Sequence, residues 1–226
     1  MFAAPQATGE TVPLEAVTVL PPTRPSKMIG LWNNFHAAAE KNGWAIPERP
    51  LYFIKPPSCY LGSGGAIRRP PAYEGRVVYE GELGIVIGQR CSGVTEEQAR
   101  EHIFGYTCVN DVTALQLISE DPAFAQWTRA KSFDTFGPFG PVVATGLDPA
   151  GLTVRTLLNG RERQSYPVSD MIFPPAALVS RISHDMTLWP GDVIACGTSL
   201  GALPMKPGST VEVVIEGIGT LRNTYE

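Results

Sequence analysis

The chain has 226 residues, with 18 Lys and Arg against 22 Asp and Glu, 43% apolar and 18% charged residues, and 23 Gly and 21 Pro. That apolar share suffices for a sizeable core and the charge share is too low for a disordered chain. Gly and Pro make up about a fifth of the residues against about 12% on average, which disfavours long helices and favours a β-rich fold. A formal net charge of −4, with no basic run longer than Arg68-Arg69, excludes a nucleic-acid footprint and gives no attraction to an acidic membrane. No apolar stretch approaches the ~20 residues that span a bilayer.

The N-terminus lacks a basic region followed by an apolar segment, so no secretory signal is expected. Cys59, Cys91, Cys108 and Cys196 show no CxxC or zinc spacing, which points to free thiols in a reducing, cytoplasmic compartment.

In chain order, residues 1–25 carry Pro5, Pro13, Pro21, Pro22 and Pro25 and read as an N-terminal arm, with Ala16 to Leu20 as a short strand, before one domain over residues 26–226. Ser26 to Gly30 begins a strand. Asn33 or Asn34 is placed to cap a short Ala-rich helix through Lys41 that Asn42-Gly43 closes. Leu51 to Ile54 is a strand stopped by Pro56-Pro57, and Gly62 to Gly65 reads as a mobile loop. Short strands follow at Val77 to Tyr79, Glu82 to Ile87, Val142 to Ala144, Thr153 to Leu158, Asp192 to Cys196 and Thr210 to Ile215, with Asn159-Gly160 supplying the pair that a type I′ hairpin turn needs. Helices are predicted from Thr95 and over Pro174 to Ile182.

The chemistry-bearing signal is Glu80-Gly81-Glu82, because carboxylates at i and i+2 of an extended strand project to one face. Like charges that close repel unless a cation lies between them. A strand ending in GYTCVND delivers a further acid, Asp111, to a turn. Three carboxylates suit Mg²⁺ or Mn²⁺ rather than Zn²⁺. On its own, an ExE pair is also what an ordinary solvated strand face contains.

The text around these acids carries a resemblance. FIKPPS (53–58), YEGELGIVIG (79–88), GYTCVNDVTA (105–114), QWTRAKSFDTFGPFGP (126–141), SDMIFPPAALVSRIS (169–183), LWPGDVIACGTSLG (188–201) and IEGIGTLRN (215–223) occur in the order found in the fumarylacetoacetate hydrolase family, which the chain resembles from about Lys27 to Asn223. The resemblance implies a β-rich α+β fold, a mixed β-sandwich roll with a few short helices, in a homodimer. It implies a divalent cation held by Glu80, Glu82 and Asp111, and a small 2-oxo acid substrate that is cleaved, decarboxylated or isomerised through an enolate. Lys131 in RAKSFD matches the family's active-site lysine, and Thr198 in GTSLG matches a substrate-contacting loop in which Ser199 replaces the usual Pro. Lys55 and Gln116 are further candidates for the pocket.

Two departures bear on the reaction. Hydrolytic relatives carry His-x-x-Glu on a lid helix, whereas here His36 and Glu40 are four apart, still on one helix face. Leu115 stands where several members have a substrate-anchoring Arg, leaving Arg68, Arg69 or Arg129 to replace it. His102 and His184 read as structural. The leading expectation is metal-dependent C–C cleavage of an acylpyruvate or decarboxylation of an oxaloacetate-like acid, with His36 and Glu40 as base once the lid helix closes. The second is isomerisation or decarboxylation of a 2-hydroxyhepta-2,4-diene-1,7-dioate-like compound, and the third a non-catalytic binding protein on the same fold.

Overall fold

The structure, a computed structural model, describes residue 6 and residues 8–226; the first five residues and residue 7 of the expected arm lie outside the described residues. The elements in order are β1 (Met28–Trp32), α1 (His36–Asn42), β2 (Leu51–Lys55), β3 (Tyr60–Leu61), β4 (Ala66–Ile67), β5 (Val77–Val78), β6 (Gly81–Ile87), α2 (Glu96–His102), β7 (Ile103–Asn110) and β8 (Thr113–Ala114). There follow α3 (Trp127–Lys131), β9 (Gly137–Ala144), β10 (Thr153–Leu158), β11 (Arg161–Pro167), α4 (Pro175–Asp185), β12 (Val193–Ala195), β13 (Thr210–Ile215) and β14 (Gly219–Tyr225).

Two mixed sheets form the body, one ordered β2-β1-β12-β6-β7-β9-β3 and the other β11-β10-β13-β14-β4, with a small β5-β8 pair beside them. β1 and β12 run parallel, as do β3 with β9 and β14 with β4; the other pairs are antiparallel. The second sheet alternates buried and exposed residues along β10, β11 and β14, as a sheet with one face on the core must. β6 is different. Every residue of its GELGIVI run is buried, because both faces of this central strand are covered. Leu83 and Ile85 of β6 share the main core with Val154, Val213 and Ile215 of the second sheet and Leu178, Val179 and Ile182 of α4. This is the β-rich mixed roll with short helices expected from the sequence.

Local signals behave as their chemistry requires. Thr95 forms a full capping box with Gln98, Gly43 closes α1 at φ 66°, and Asn159 and Gly160 both take positive φ. All four cysteines are free and buried. Burial pushes the Cys59 thiol up to about 11 and the Cys108 thiol up to about 12, so both stay protonated and inert at neutral pH.

Three expectations are corrected. Residues 16–20 form no strand: a short 3-10 turn covers Leu14–Ala16, and the chain then lies over the body, with the Thr23 hydroxyl donating to the Gly191 carbonyl. α1 has no side-chain cap from Asn33 or Asn34. Its N-cap is Phe35, and the Asp170 carboxylate accepts from the Ala37 amide at 3.0 Å, while Asn34 ties the helix entry to Phe173 and Cys196. The Gly62 to Gly65 loop is tethered rather than loose, because Asn223 Nδ2 donates to the carbonyls of both Gly62 and Gly65 at 2.9 Å.

Candidate metal centre

Register brings the acids together. β6 and β7 pair with Gly81 opposite Asn110, so Glu80 enters β6 where Asp111 leaves β7, and the Asp111 amide donates to the Glu80 carbonyl at 2.8 Å. One carboxylate oxygen from each of Glu80, Glu82 and Asp111 lies within 4.8 Å of the others. Gly81 between the glutamates is clamped on both sides. Its amide donates to Gln164 Oε1 at 3.1 Å, and its carbonyl accepts from Thr198 Oγ1 at 2.9 Å and from the Tyr166 hydroxyl. A Cβ here would stand 2.0 Å from Thr156 Oγ1, so any larger residue would have to displace the Thr156 side chain.

Two buried lysines balance the acids. Lys131 Nζ lies 2.5 Å from both Glu80 Oε2 and Asp111 Oδ2, and Lys55 Nζ lies 2.6 Å from Asp111 Oδ1. Lys55 also donates to the Lys131 carbonyl at 2.5 Å, so it fixes the acid and the other lysine at once. Burial works to raise the Asp111 pKa, but Lys131 and Lys55 outweigh it and hold the carboxyl below the usual range. Glu80 is pushed up by burial in spite of Lys131. Glu82 is pushed well above the usual range by burial and by the charges of Asp111 and Glu80. For Lys131, burial works downward, yet the charges of Asp111, Glu80 and Glu82 hold the ammonium above its ordinary value.

This donor set fits a divalent cation. Glu82 Oε2 accepts from the Gly197 amide at 2.8 Å, but Glu82 Oε1 is buried with no hydrogen-bond partner among the described residues. A buried carboxylate oxygen without a donor is expensive unless a cation meets it. The oxygens are hard donors with no imidazole or thiolate among them, which suits Mg²⁺ or Mn²⁺.

A cavity of about 440 Å³ opens on Glu80, Lys131 and Thr198. Its other walls include Trp32 of β1, Ala38 and Asn42 of α1, Phe53 of β2, Leu115, and Trp127 at the start of α3. A model of the C-terminal domain of fumarylacetoacetate hydrolase matches residues 27–226. The chain belongs to the fumarylacetoacetate hydrolase family. Among solved structures of the family, a 5-carboxymethyl-2-hydroxymuconate delta-isomerase from Mycobacterium smegmatis is 43% identical at a TM-score of 0.88, over 96% of this chain and 85% of that one. Oxaloacetate tautomerase YisK of Bacillus subtilis is 38% identical over 216 residues, 90% of this chain and 71% of the relative. A fumarylpyruvate hydrolase from Pseudomonas aeruginosa, solved with Mn²⁺ and pyruvate, is 26% identical at a TM-score of 0.83, covering 90% of each chain.

Within this member of the family, the predicted site residues divide into three groups. Glu80, Glu82, Asp111, Lys131, Lys55 and Thr198 gather, with Lys55 behind the acids rather than on the cavity wall. His36 and Glu40 do not join them. Both are exposed on α1, and among the described residues neither side chain has a hydrogen-bond partner. The helix turns Ala38 and Asn42 to the cavity, and at about 100° per residue His36 and Glu40 point the opposite way. Gln116 is also elsewhere: its Oε1 accepts from the Tyr73 hydroxyl at 2.5 Å and the Arg76 amide at 2.8 Å. Arg129 pairs with Glu120 on the surface, and Arg68 and Arg69 line a separate cleft, so none of the three stands in the cavity beside Leu115.

Sequence reasoning missed the second sheet's share of the site. Gln164 Nε2 donates to Thr198 Oγ1 at 2.9 Å, so Gln164 ties Thr198 to the Gly81 amide. Asn110 Oδ1 accepts from the Glu80 amide at 3.0 Å, and the Thr113 hydroxyl donates to Glu80 Oε1 at 3.2 Å. The available signal was Gln164 and Tyr166 at i and i+2 in RERQSYP, the buried positions of an otherwise polar strand.

Proposed function

We propose that this protein is a Mg²⁺- or Mn²⁺-dependent tautomerase that interconverts the enol and keto forms of a small 2-oxo acid. The observation that carries this reading is the orientation of α1. The cavity holds groups that bind and stabilise an enolate, while the His36–Glu40 pair that would activate water for hydrolysis faces away from it. The isomerase alternative among the expected activities therefore displaces C–C hydrolysis as the better fit.

Glu80, Glu82 and Asp111 would hold the cation, with Asn110, Thr113 and Gly197 fixing the two glutamates. When bound, the cation supplies Lewis acidity, polarising the oxygens of a 2-oxo carboxylate and favouring enolate charge. Lys131 lines the cavity and offers a second positive charge to the enolate oxygen. The Thr198 hydroxyl donates to the Gly81 carbonyl and accepts from Gln164, which leaves one lone pair for the hydroxyl of an enol.

In the tautomerisation an enol O–H bond breaks and a C3–H bond forms, and no water is consumed. Glu80 and Lys131 are the ionisable groups among the described residues that line the cavity, so the proton moves through them or through cavity water. The activities named for the relatives from Bacillus subtilis and Mycobacterium smegmatis, a tautomerase and an isomerase, support the reading. The test is a stopped-flow assay of enol decay for oxaloacetate and other 2-oxo acids with Mg²⁺, with Mn²⁺ and with chelator, beside acylpyruvate hydrolysis. Metal-dependent enol decay without hydrolysis is expected; hydrolysis as the faster reaction would overturn the reading.

A further inference from the structure

Tautomerisation at the carboxylate floor makes no use of the rings that wall the same cavity. Phe53 and Trp127 stack at 5.8 Å with an interplanar angle of 10°, Trp127 meets Trp32 at 5.7 Å, and Trp32 meets Trp44 at 5.1 Å. Lys131 Nζ stands 5.0 Å from the Phe53 ring centre, so the aromatic wall begins at the ammonium that touches Glu80 and Asp111. Leu115 extends the apolar lining.

The wall is preformed, although Trp44 is 39% exposed. The Trp44 amide donates to the Ala39 carbonyl at 2.9 Å, and Asn33 Nδ2 donates to the Ala45 carbonyl at 2.9 Å, which pins the backbone on both sides of the ring. No arginine or histidine among the described residues lines the cavity, and its lysine, Lys131, stands at the carboxylate floor where the 2-oxo end is bound. A second carboxylate on the substrate would leave water for a wall of rings with no cation to receive it. An aryl group would bury its faces there.

We propose that the 2-oxo acid taken by this protein carries an aromatic group on C3, so that its substrate class is the enols of arylpyruvates rather than of dicarboxylic 2-oxo acids. This rests on the tautomerase reading and deepens it. The 2-oxo-carboxylate end sits at Glu80, Lys131 and Thr198, and the aryl end lies against Trp127 and Trp32. The step balances without any further reagent. The proton leaves the enol oxygen, the O–H pair becomes the C2=O π bond, and the C2=C3 π pair takes a proton to form the C3–H bond.

The test uses two unreactive ligands that share an oxamate head and differ in the tail: oxanilate with a phenyl group and N-oxalylglycine with a carboxymethyl group. Binding to the Mg²⁺-loaded protein is read by calorimetry. Oxanilate is expected to bind tighter by about tenfold or more, in keeping with burial of a ring. Trp127→Ala should erase most of that preference, and Leu115→Arg, which adds a cation without removing a ring, should shift it toward N-oxalylglycine. Equal or tighter binding of N-oxalylglycine by the wild type overturns the aryl proposal and leaves the 2-oxo-acid reading standing. An oxanilate preference that both variants keep unchanged overturns the assignment of this wall. Failure of both ligands to bind, with Mg²⁺ bound, would sink the 2-oxo-acid reading and the aryl proposal together.

Discussion

The Glu80–Glu82 pair, which Asp111 joins from the neighbouring strand, and the His36–Glu40 pair are both ionisable residues at short spacing, and the fold puts them in opposite environments. The first lies at the start of a strand covered on both faces, where residues adjoining the apolar run are drawn into the interior, and there two lysines, one backbone amide and a hydroxyl meet all but one of the oxygens of Glu80, Glu82 and Asp111. The second belongs to a seven-residue helix that buries only Ala38 and Ala39, so its other faces are free to point outward. Spacing says which residues share a face. Only the packing of the element says whether that face meets the core, the cavity or water.

The largest effect is expected at Glu82. Glu82→Gln should reduce enol decay to the chelated background and weaken Mg²⁺ binding by more than about 10²-fold, since even residues that merely orient ligands contribute about 10–100-fold; calorimetry and the stopped-flow assay read both. The same variant has an opposite effect without metal. Because the folded-state pKa of Glu82 is raised above its ordinary 4.5, the metal-free native state binds a proton there that the unfolded chain releases. Stability is thus full below that ordinary value and falls as pH rises toward the raised one. Urea unfolding with chelator should show this fall in the wild type and a flatter profile in Glu82→Gln.

Lys131→Met comes next. It should lower the tautomerisation rate by about 10²–10³-fold, the usual loss for one group that stabilises an oxyanion. It should also destabilise the metal-free protein by about 3–5 kcal/mol, the range for a buried ion pair stripped of one partner, as measured by urea unfolding. Gly81→Ala is smaller. Overpacking against Thr156 Oγ1 should cost about 1–3 kcal/mol, and a Thr156→Ala background should relieve part of it; strict additivity in denaturation would show that the clash lies elsewhere. Smallest of all are His36→Ala and Glu40→Ala, each expected to change unfolding free energy by less than about 0.5 kcal/mol. A larger change would mean that α1 packs these side chains against something in solution.

Much of this arrangement was legible in the chain. The apolar run after Glu82, the Asn-Gly turn and the Thr95 cap are local signals, and each produced its element. The acidic cluster was readable because Glu80 and Glu82 alternate in phase on one strand and Asp111 ends the neighbouring one. Gln164 and Tyr166 were not readable as site residues, since their role depends on the second sheet laying β11 across Gly81, a contact between segments 83 and 85 residues apart. The aromatic wall was hidden for the same reason: Trp32, Trp44, Phe53 and Trp127 come from four separate segments. The direction in which His36 and Glu40 point was not readable, because helical phase fixes their relation to each other and not the side of α1 that meets the cavity.

A cation held by Glu80, Glu82 and Asp111 is expected to support enol–keto interconversion without the side chains of His36 or Glu40. The most direct test is the rate of enol decay in the Mg²⁺-loaded His36→Ala/Glu40→Ala double variant, measured on whichever 2-oxo acid the wild type turns over fastest. Its rate should stay within about twofold of wild type and be abolished by chelator, as expected for residues that do not reach the reacting atoms. A loss of about a hundredfold or more, the scale of a general base, or a rate indifferent to chelator, would contradict that expectation.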